Sequence, residues 1–218
     1  QVDMALSVAE SLNDQKVVAL EAGTGVGKSF AYLVPAILWA VRNKKRIVVS
    51  TNTINLQEQL VGKDLPLLER TLPVRFTYTL IKGRNNYACL RKAEEARFET
   101  SSLFDNDESV SALSDLLKWV EKTDDGSLAD LSSSPRDDVW EKVMSETDKS
   151  LKVKCEFYDR CFYYRAKRQA NRANIVVVNH HLFFSDLAVR RETQNYQWNV
   201  ILPGYERVIF DEAHHLED

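Results

Sequence analysis

Cysteine is scarce in this chain of 218 residues, and proline and glycine are hardly commoner, at three, five and seven residues. Three cysteines, Cys89, Cys155 and Cys161, are too few and too odd in number to form a disulfide framework. Long apolar runs are missing too, and none approaches the roughly 20 residues needed to span a bilayer. The first residues lack the basic-then-apolar pattern of a secretory signal, so a cytoplasmic or nucleoid setting is expected. Nor is positive charge in excess. The formal net charge is −3, which excludes a chain that binds nucleic acid with its whole surface. What the length does allow is one sizeable core, or a core plus a small insertion.

The small net charge conceals an asymmetry. From Glu99 to Asp148 there are 14 acidic residues against 4 basic ones; from Lys149 to Arg172 there are 8 basic against 2 acidic. Any nucleic-acid contact is therefore local, and the second segment is the place to look. It also interleaves its cations with Phe157, Tyr158, Phe162, Tyr163 and Tyr164. Cations that track phosphates and rings that stack on bases suit single-stranded DNA. The bland alternative is that the rings form a small core and the cations its solvated face.

Three of the few glycines fall within one stretch, Ala22-Gly23-Thr24-Gly25-Val26-Gly27-Lys28-Ser29. An apolar run, Val17-Val18-Ala19-Leu20, precedes it and a helical pattern follows. This is the phosphate-binding P-loop order, with Ala22 in place of the usual first glycine. Gly23, Gly25 and Gly27 let backbone N–H groups approach a phosphate, and the positive end of the next helix faces the same anion. Lys28 is placed to reach the β- and γ-phosphates of ATP, and Ser29 to ligate Mg²⁺.

The rest of the chain alternates. Residues 2–13 have helical spacing, 17–21 read as a strand, and 30–41 as a helix buried nearly all round and bent at Pro35. Strands are predicted at 47–50, 76–81 and 175–178, with helices from Ile54 to Leu60 and after Asn179-His180-His181. Between 84 and 164 no comparable strand appears, and a short helix is predicted at 110–121. Residues 193–204 read as a loop or hairpin. The last apolar run, Val208-Ile209-Phe210, delivers Asp211-Glu212-Ala213-His214 at its carboxyl end. That is the Walker B order, in which Asp211 holds Mg²⁺ and Glu212 orients and deprotonates the attacking water. The predicted fold is α/β: a RecA-like P-loop parallel sheet flanked by helices, with a small, mostly helical or irregular cysteine-bearing domain inserted. Its predicted parts are 1–83, 84–164 and 165–218.

Asp-Glu-Ala-His marks a superfamily 2 helicase, and the chain resembles the iron–sulfur helicases of the DinG/XPD family, closer to bacterial DinG. The resemblance is carried by Gln1-Val2-Asp3-Met4, the P-loop from Glu21, Ser50-Thr51-Asn52-Thr53, and Lys82-Gly83-Arg84 five residues ahead of Cys89. It continues through Cys155 and Cys161, Val178-Asn179-His180 and the closing motif. It implies an ATP-dependent helicase that moves 5′ to 3′ on single-stranded or forked DNA and acts in repair or replication, with Gln1 reading adenine. It also implies a [4Fe–4S] domain held by four cysteines, of which Cys89, Cys155 and Cys161 match three and Ser150 stands at the fourth position. Three outcomes stand open: a cluster with the Ser150 oxygen or another group at one iron, a damaged or three-iron cluster, or none. Scattered thiols and a zinc site are the other readings of the cysteines.

DNA contacts are expected at Thr51, Thr53, Arg84, Lys152, Lys154, Arg165, Asn179 and His180, with Arg84 alternatively tuning the cluster. His214 would couple nucleotide state to the motor. The family continues past Walker B into a second motor domain with an arginine finger. A monomer that binds Mg·ATP weakly, with little turnover, is therefore expected of this stretch. The competing functions are a kinase or nucleotide-gated switch built on the same P-loop, and a cysteine-based redox or metal module.

Overall fold

The computed structural model describes residues 1–23, 25–103, 107–196 and 199–216. Contacts divide the chain into two compact units, 1–81 with 167–218, and 82–166.

Unit 1 is built on a parallel sheet. Its strands among the described residues are β1 (Ile47–Thr51), β2 (Tyr78–Leu80), β3 (Ile175–Asn179) and β4 (Arg207–Phe210), in the order β2-β3-β1-β4. β1 and β3 lie at the centre, in a register that sets Val49 beside Val177 and Thr51 beside Asn179. Both are continuous β-branched runs because both faces of the sheet are covered. On one face Ile47, Val49, Ile175 and Val177 pack with Leu33, Ala36 and Ile37 of α2 (Lys28–Asn43) and with Val8 and Leu12 of α1 (Val2–Asp14). On the other, Val48, Val176 and Val178 meet Leu182 and Phe183 of α9 (His180–Thr193) and Leu202. Each such side chain, fully buried, contributes about 1.5–3 kcal/mol.

Local chemistry sets the helix starts. Thr53 Oγ1 accepts the Leu56 N–H at 3.2 Å and opens α3 (Ile54–Gln59); Asn179 Oδ1 accepts the Leu182 N–H at 2.8 Å and opens α9. A π-helical turn, Leu60–Asp64, then joins α3 to α4 (Leu65–Thr71). α2 carries Pro35 buried in its interior.

One expectation fails. Residues 17–21 form no strand: Val17 is fully exposed, Val18 and Leu20 largely so. β4 pairs only with β1, and this apolar run finds no strand to hydrogen-bond; β propensity without a partner does not make a strand. Of the two forms expected at 193–204, the stretch after α9 takes the loop. Its described residues form a loop clamped by a buried ion pair: Asp186 Oδ2 accepts from Arg190 Nε at 2.5 Å. Arg190 also donates to the carbonyls of Tyr196 and Leu202, while Asp186 Oδ1 accepts the Ile201 and Leu202 N–H groups. Trp198 lies outside the described residues.

Unit 2 is helical, with α5 (Leu90–Leu103), α6 (Asp107–Lys122), α7 (Asp137–Val143) and the first turns of α8 (Phe162–Ala170). The helix expected at 110–121 is α6. Leu113, Val139 and Val143 are fully buried together with Tyr87, Phe162 and Tyr163. Gly126, at φ +67°, allows the close approach of Phe162: a Cβ there would stand 2.2 Å from the ring.

Candidate nucleotide site

Gly25 and Gly27 adopt φ of +78° and +79°, and α2 starts directly after, at Lys28. Only glycine takes this backbone without strain, and it turns the first N–H groups of the helix toward the loop. Gln1 Nε2 donates to the Gly27 carbonyl at 3.2 Å, so Gln1 touches the loop itself. A Cβ on Gly27 would lie 2.4 Å from that nitrogen. Ala22, Gly23 and Val26 lie in the same turn, and Thr24 falls outside the described residues.

Across from Lys28, β4 delivers Asp211 and Glu212. The Asp211 N–H donates to the Ser50 carbonyl at 2.8 Å, continuing the pairing with β1 one residue past the strand. Glu212 then turns into the left-handed region, φ +54°, which aims its side chain at the loop. Lys28 Nζ meets Glu212 Oε1 at 2.8 Å. That bond raises the Lys28 pKa and lowers that of Glu212. Asp211 is different. Burial, and then the neighbouring Glu212 charge, push its pKa up, although Thr51 Oγ1 donates to its Oδ2 at 3.3 Å. Two adjacent carboxylates share one lysine, which leaves net negative charge on hard oxygen donors. That set fits Mg²⁺, with Ser29 and Asp211 as the residues to hold it.

One side chain not singled out from the sequence completes the site. Tyr32, one helical turn beyond Lys28, is buried, and its phenol pKa is pushed well up by burial and then by Asp211. The spacing Lys28 to Tyr32 places both on one face of α2, a signal available in the sequence. Ser50 Oγ lies 2.7 Å from His180 Nδ1.

The expected DNA contacts divide. Thr51 and His180 are buried and turned toward Asp211 and Ser50, so neither is open to a strand. Thr53 and Asn179 serve as helix caps at the carboxyl ends of β1 and β3. In unit 2, Arg84 is engaged in packing. Its guanidinium carbon stands 3.9 Å from the Tyr163 ring centre, and it donates to Tyr164 Oη and Ser145 Oγ. Lys152 and Lys154 are exposed, while Arg165 is half-buried over Phe162. Of the interleaved aromatics, Phe162 and Tyr163 are core residues.

Cys89, Cys155 and Cys161 are free and half-buried. Burial pushes the Cys161 thiol up, against nearby backbone N–H groups and Arg84. Ser150 Oγ lies 3.4 Å from Tyr164 Oη. Among the described residues no three of histidine, cysteine, aspartate and glutamate are gathered as a metal site. Three thiols with the Ser150 hydroxyl are one thiolate short of a four-cysteine cluster site. No described helix is long and apolar enough to cross a membrane.

Comparison with known families matches residues 4–106 to the DEAD/DEAH box helicase model and residues 75–218 to the DEAD_2 model. The chain belongs to the DEAD_2 family. Its relatives include the protein named ATP-dependent DNA helicase YoaA of Escherichia coli, 37% identical over the whole chain. The ATP-dependent helicase DinG of Mycobacterium tuberculosis is 36% identical, and the 3′-5′ exonuclease DinG of Bacillus subtilis 33%. This DEAD_2 chain spans 33%, 34% and 22% of those three relatives. Among solved structures, a truncated XPD aligns with 99% of the chain and 53% of its own length, at 16% identity and a TM-score of 0.46.

Proposed function

We propose that this DEAD_2 chain is the nucleotide-binding part of an ATP-driven DNA helicase. The observation that carries the reading is the 2.8 Å contact of Lys28 Nζ with Glu212 Oε1, which joins the P-loop to the Asp-Glu pair across 184 residues. That pairing supports ATP hydrolysis over a bare anion-binding loop, because it puts a general base beside the phosphate-binding lysine.

The residues would act in sequence. Phosphates entering the loop meet the N–H groups at the start of α2 and compete for the Lys28 ammonium. As Lys28 turns to them, Glu212 loses the partner that holds its carboxyl acidic, so its proton affinity rises. It then accepts a proton from the water that attacks the γ-phosphate. Mg²⁺ on Ser29 and Asp211 would supply charge to the phosphates. Gln1, already on the loop carbonyl, is the residue in reach to sense the base.

Thr53, Asn179, Lys152, Lys154 and Arg165 are the candidates for single-stranded DNA. Movement 5′ to 3′, a role in repair and a second motor domain enter from the resemblance alone. The cysteines carry no step.

Binding of a fluorescent ATP analogue tests the site in this chain. Lys28→Ala is expected to weaken it at least about tenfold, since a phosphate-neutralising charge is lost. Glu212→Gln frees Lys28 and is expected to leave binding equal or tighter, while abolishing hydrolysis in the longer protein. Unchanged binding in Lys28→Ala would sink the assignment.

A further inference from the structure

At the amino ends of β1, β3 and β4, the opposite end of the parallel sheet from Thr51 and Asp211, unit 1 has a cavity of about 950 Å³. Ligand pockets typically hold about 300–1,000 Å³, so the space suits a molecule of nucleotide size. Its lining is basic, with five lysine and arginine residues against Glu206, which Lys45 pairs at 2.7 Å. Lys44, Arg75 and Arg172 make no ion pair or side-chain hydrogen bond among the described residues, and all three are exposed.

Arg46 forms a fixed cationic element of the wall. Its Nε donates to the Ala173 carbonyl at 3.0 Å, its Nη2 to that of Asn171 at 2.7 Å, and its Nη1 to that of Gly204. Carbonyls take only part of its five N–H donors and supply no countercharge, and burial already pushes its pKa down. A partly buried, uncompensated cation held in place beside three exposed ones is what an anion needs. Tyr196, half exposed at the rim, adds a ring face, and Asn174 and Asn199 add amides.

We propose that this cavity binds a nucleoside phosphate, the phosphate among Arg46, Arg75 and Arg172 and the base against Tyr196. It is a second site, independent of Lys28. The same chemistry is offered by a free nucleotide and by one nucleotide of a single strand.

The test silences the P-loop with Lys28→Ala and measures, by fluorescence anisotropy, binding of labelled AMP and of a short labelled oligothymidylate. Arg75→Glu with Arg172→Glu is expected to weaken one probe at least about tenfold relative to the charge-matched control Lys63→Glu with Lys118→Glu. Loss of the AMP probe assigns a free nucleotide; loss of the oligothymidylate alone assigns a strand. The neutral pair Arg75→Gln with Arg172→Gln, which places no new carboxylate near Arg46, should give a smaller loss in the same probe. Circular dichroism checks that each variant is folded. If neither probe binds, or the reversal weakens neither beyond the control, the proposal fails.

Discussion

The two units keep their buried charges in different ways. In unit 1 the deepest charges are a matched pair, Asp186 and Arg190, with their remaining lone pairs and protons used by loop backbone. In unit 2 the Arg84 cation lies on the Tyr163 and Tyr164 rings and is bonded by hydroxyls, while Lys82 Nζ donates to Ser127 Oγ at 2.9 Å and has the exposed Asp125 carboxylate, 3.9 Å away, as a countercharge. A paired charge in a dry interior is indispensable to its partner, because removing one leaves the other stranded. A cation on rings and hydroxyls has softer ties, each contributing about 0.5–2 kcal/mol. The loop before β4 therefore leans on one buried ion pair, with Lys167 on the Val200 carbonyl and Arg46 on that of Gly204 as its lesser ties. The basic part of unit 2 depends on many weaker contacts.

Breaking that pair has the largest expected effect. Asp186→Ala should destabilise unit 1 by about 3–5 kcal/mol, read as a lower urea midpoint. Replacing both partners by similar-sized apolar residues should recover much of the loss. A cost under about 1 kcal/mol for Asp186→Ala would erase the distinction between the units.

The contrast also explains what could be read ahead of the structure. Val48-Val49 and Val176-Val177-Val178 announce themselves because a parallel sheet covered on both faces needs continuous apolar runs. Asp211 and Glu212 follow from where such a strand ends. The run at 17–20 has the same composition and no strand, because pairing is a property of neighbours and not of the run. Unit 2 was opaque for another reason. Its core draws single residues such as Leu113, Val139 and Phe162 from separate helices in the acidic and basic stretches, where no local apolar run stands out. In the sequence Tyr32 has the form of any core aromatic of a buried helix, and Asp186 with Arg190 that of any i,i+4 pair.

The cysteines of unit 2 give the second test. Leu113, Val139 and Val143 are fully buried, so the unit has an apolar core of its own. The purified chain should then keep its thermal midpoint in the presence of an iron chelator. Ser150→Cys supplies the fourth thiol and should raise iron and acid-labile sulfide by about a few-fold, with new absorbance in the visible. Equal iron and sulfide in both proteins would remove Ser150 from the ligand positions.

The smallest expected effect concerns Glu146, which Lys92 holds at 2.7 Å and Lys149 at 3.1 Å. The Lys92 hydrogen bond, and next that of Lys149, hold its carboxyl below the usual glutamate range. A carboxyl depressed in the folded state stabilises fully above its unfolded pKa and loses that contribution as pH falls through the folded value. Lys149 is solvent-exposed, so screening keeps the contribution under about 1 kcal/mol. Glu146→Gln should thus lower the stability of unit 2 slightly at neutral pH, with the difference from the parent shrinking to nothing in acid. If the gap persisted unchanged below the folded pKa, the loss would lie in packing and not in charge, and the ion pairs of unit 2 would have no measurable share in its stability.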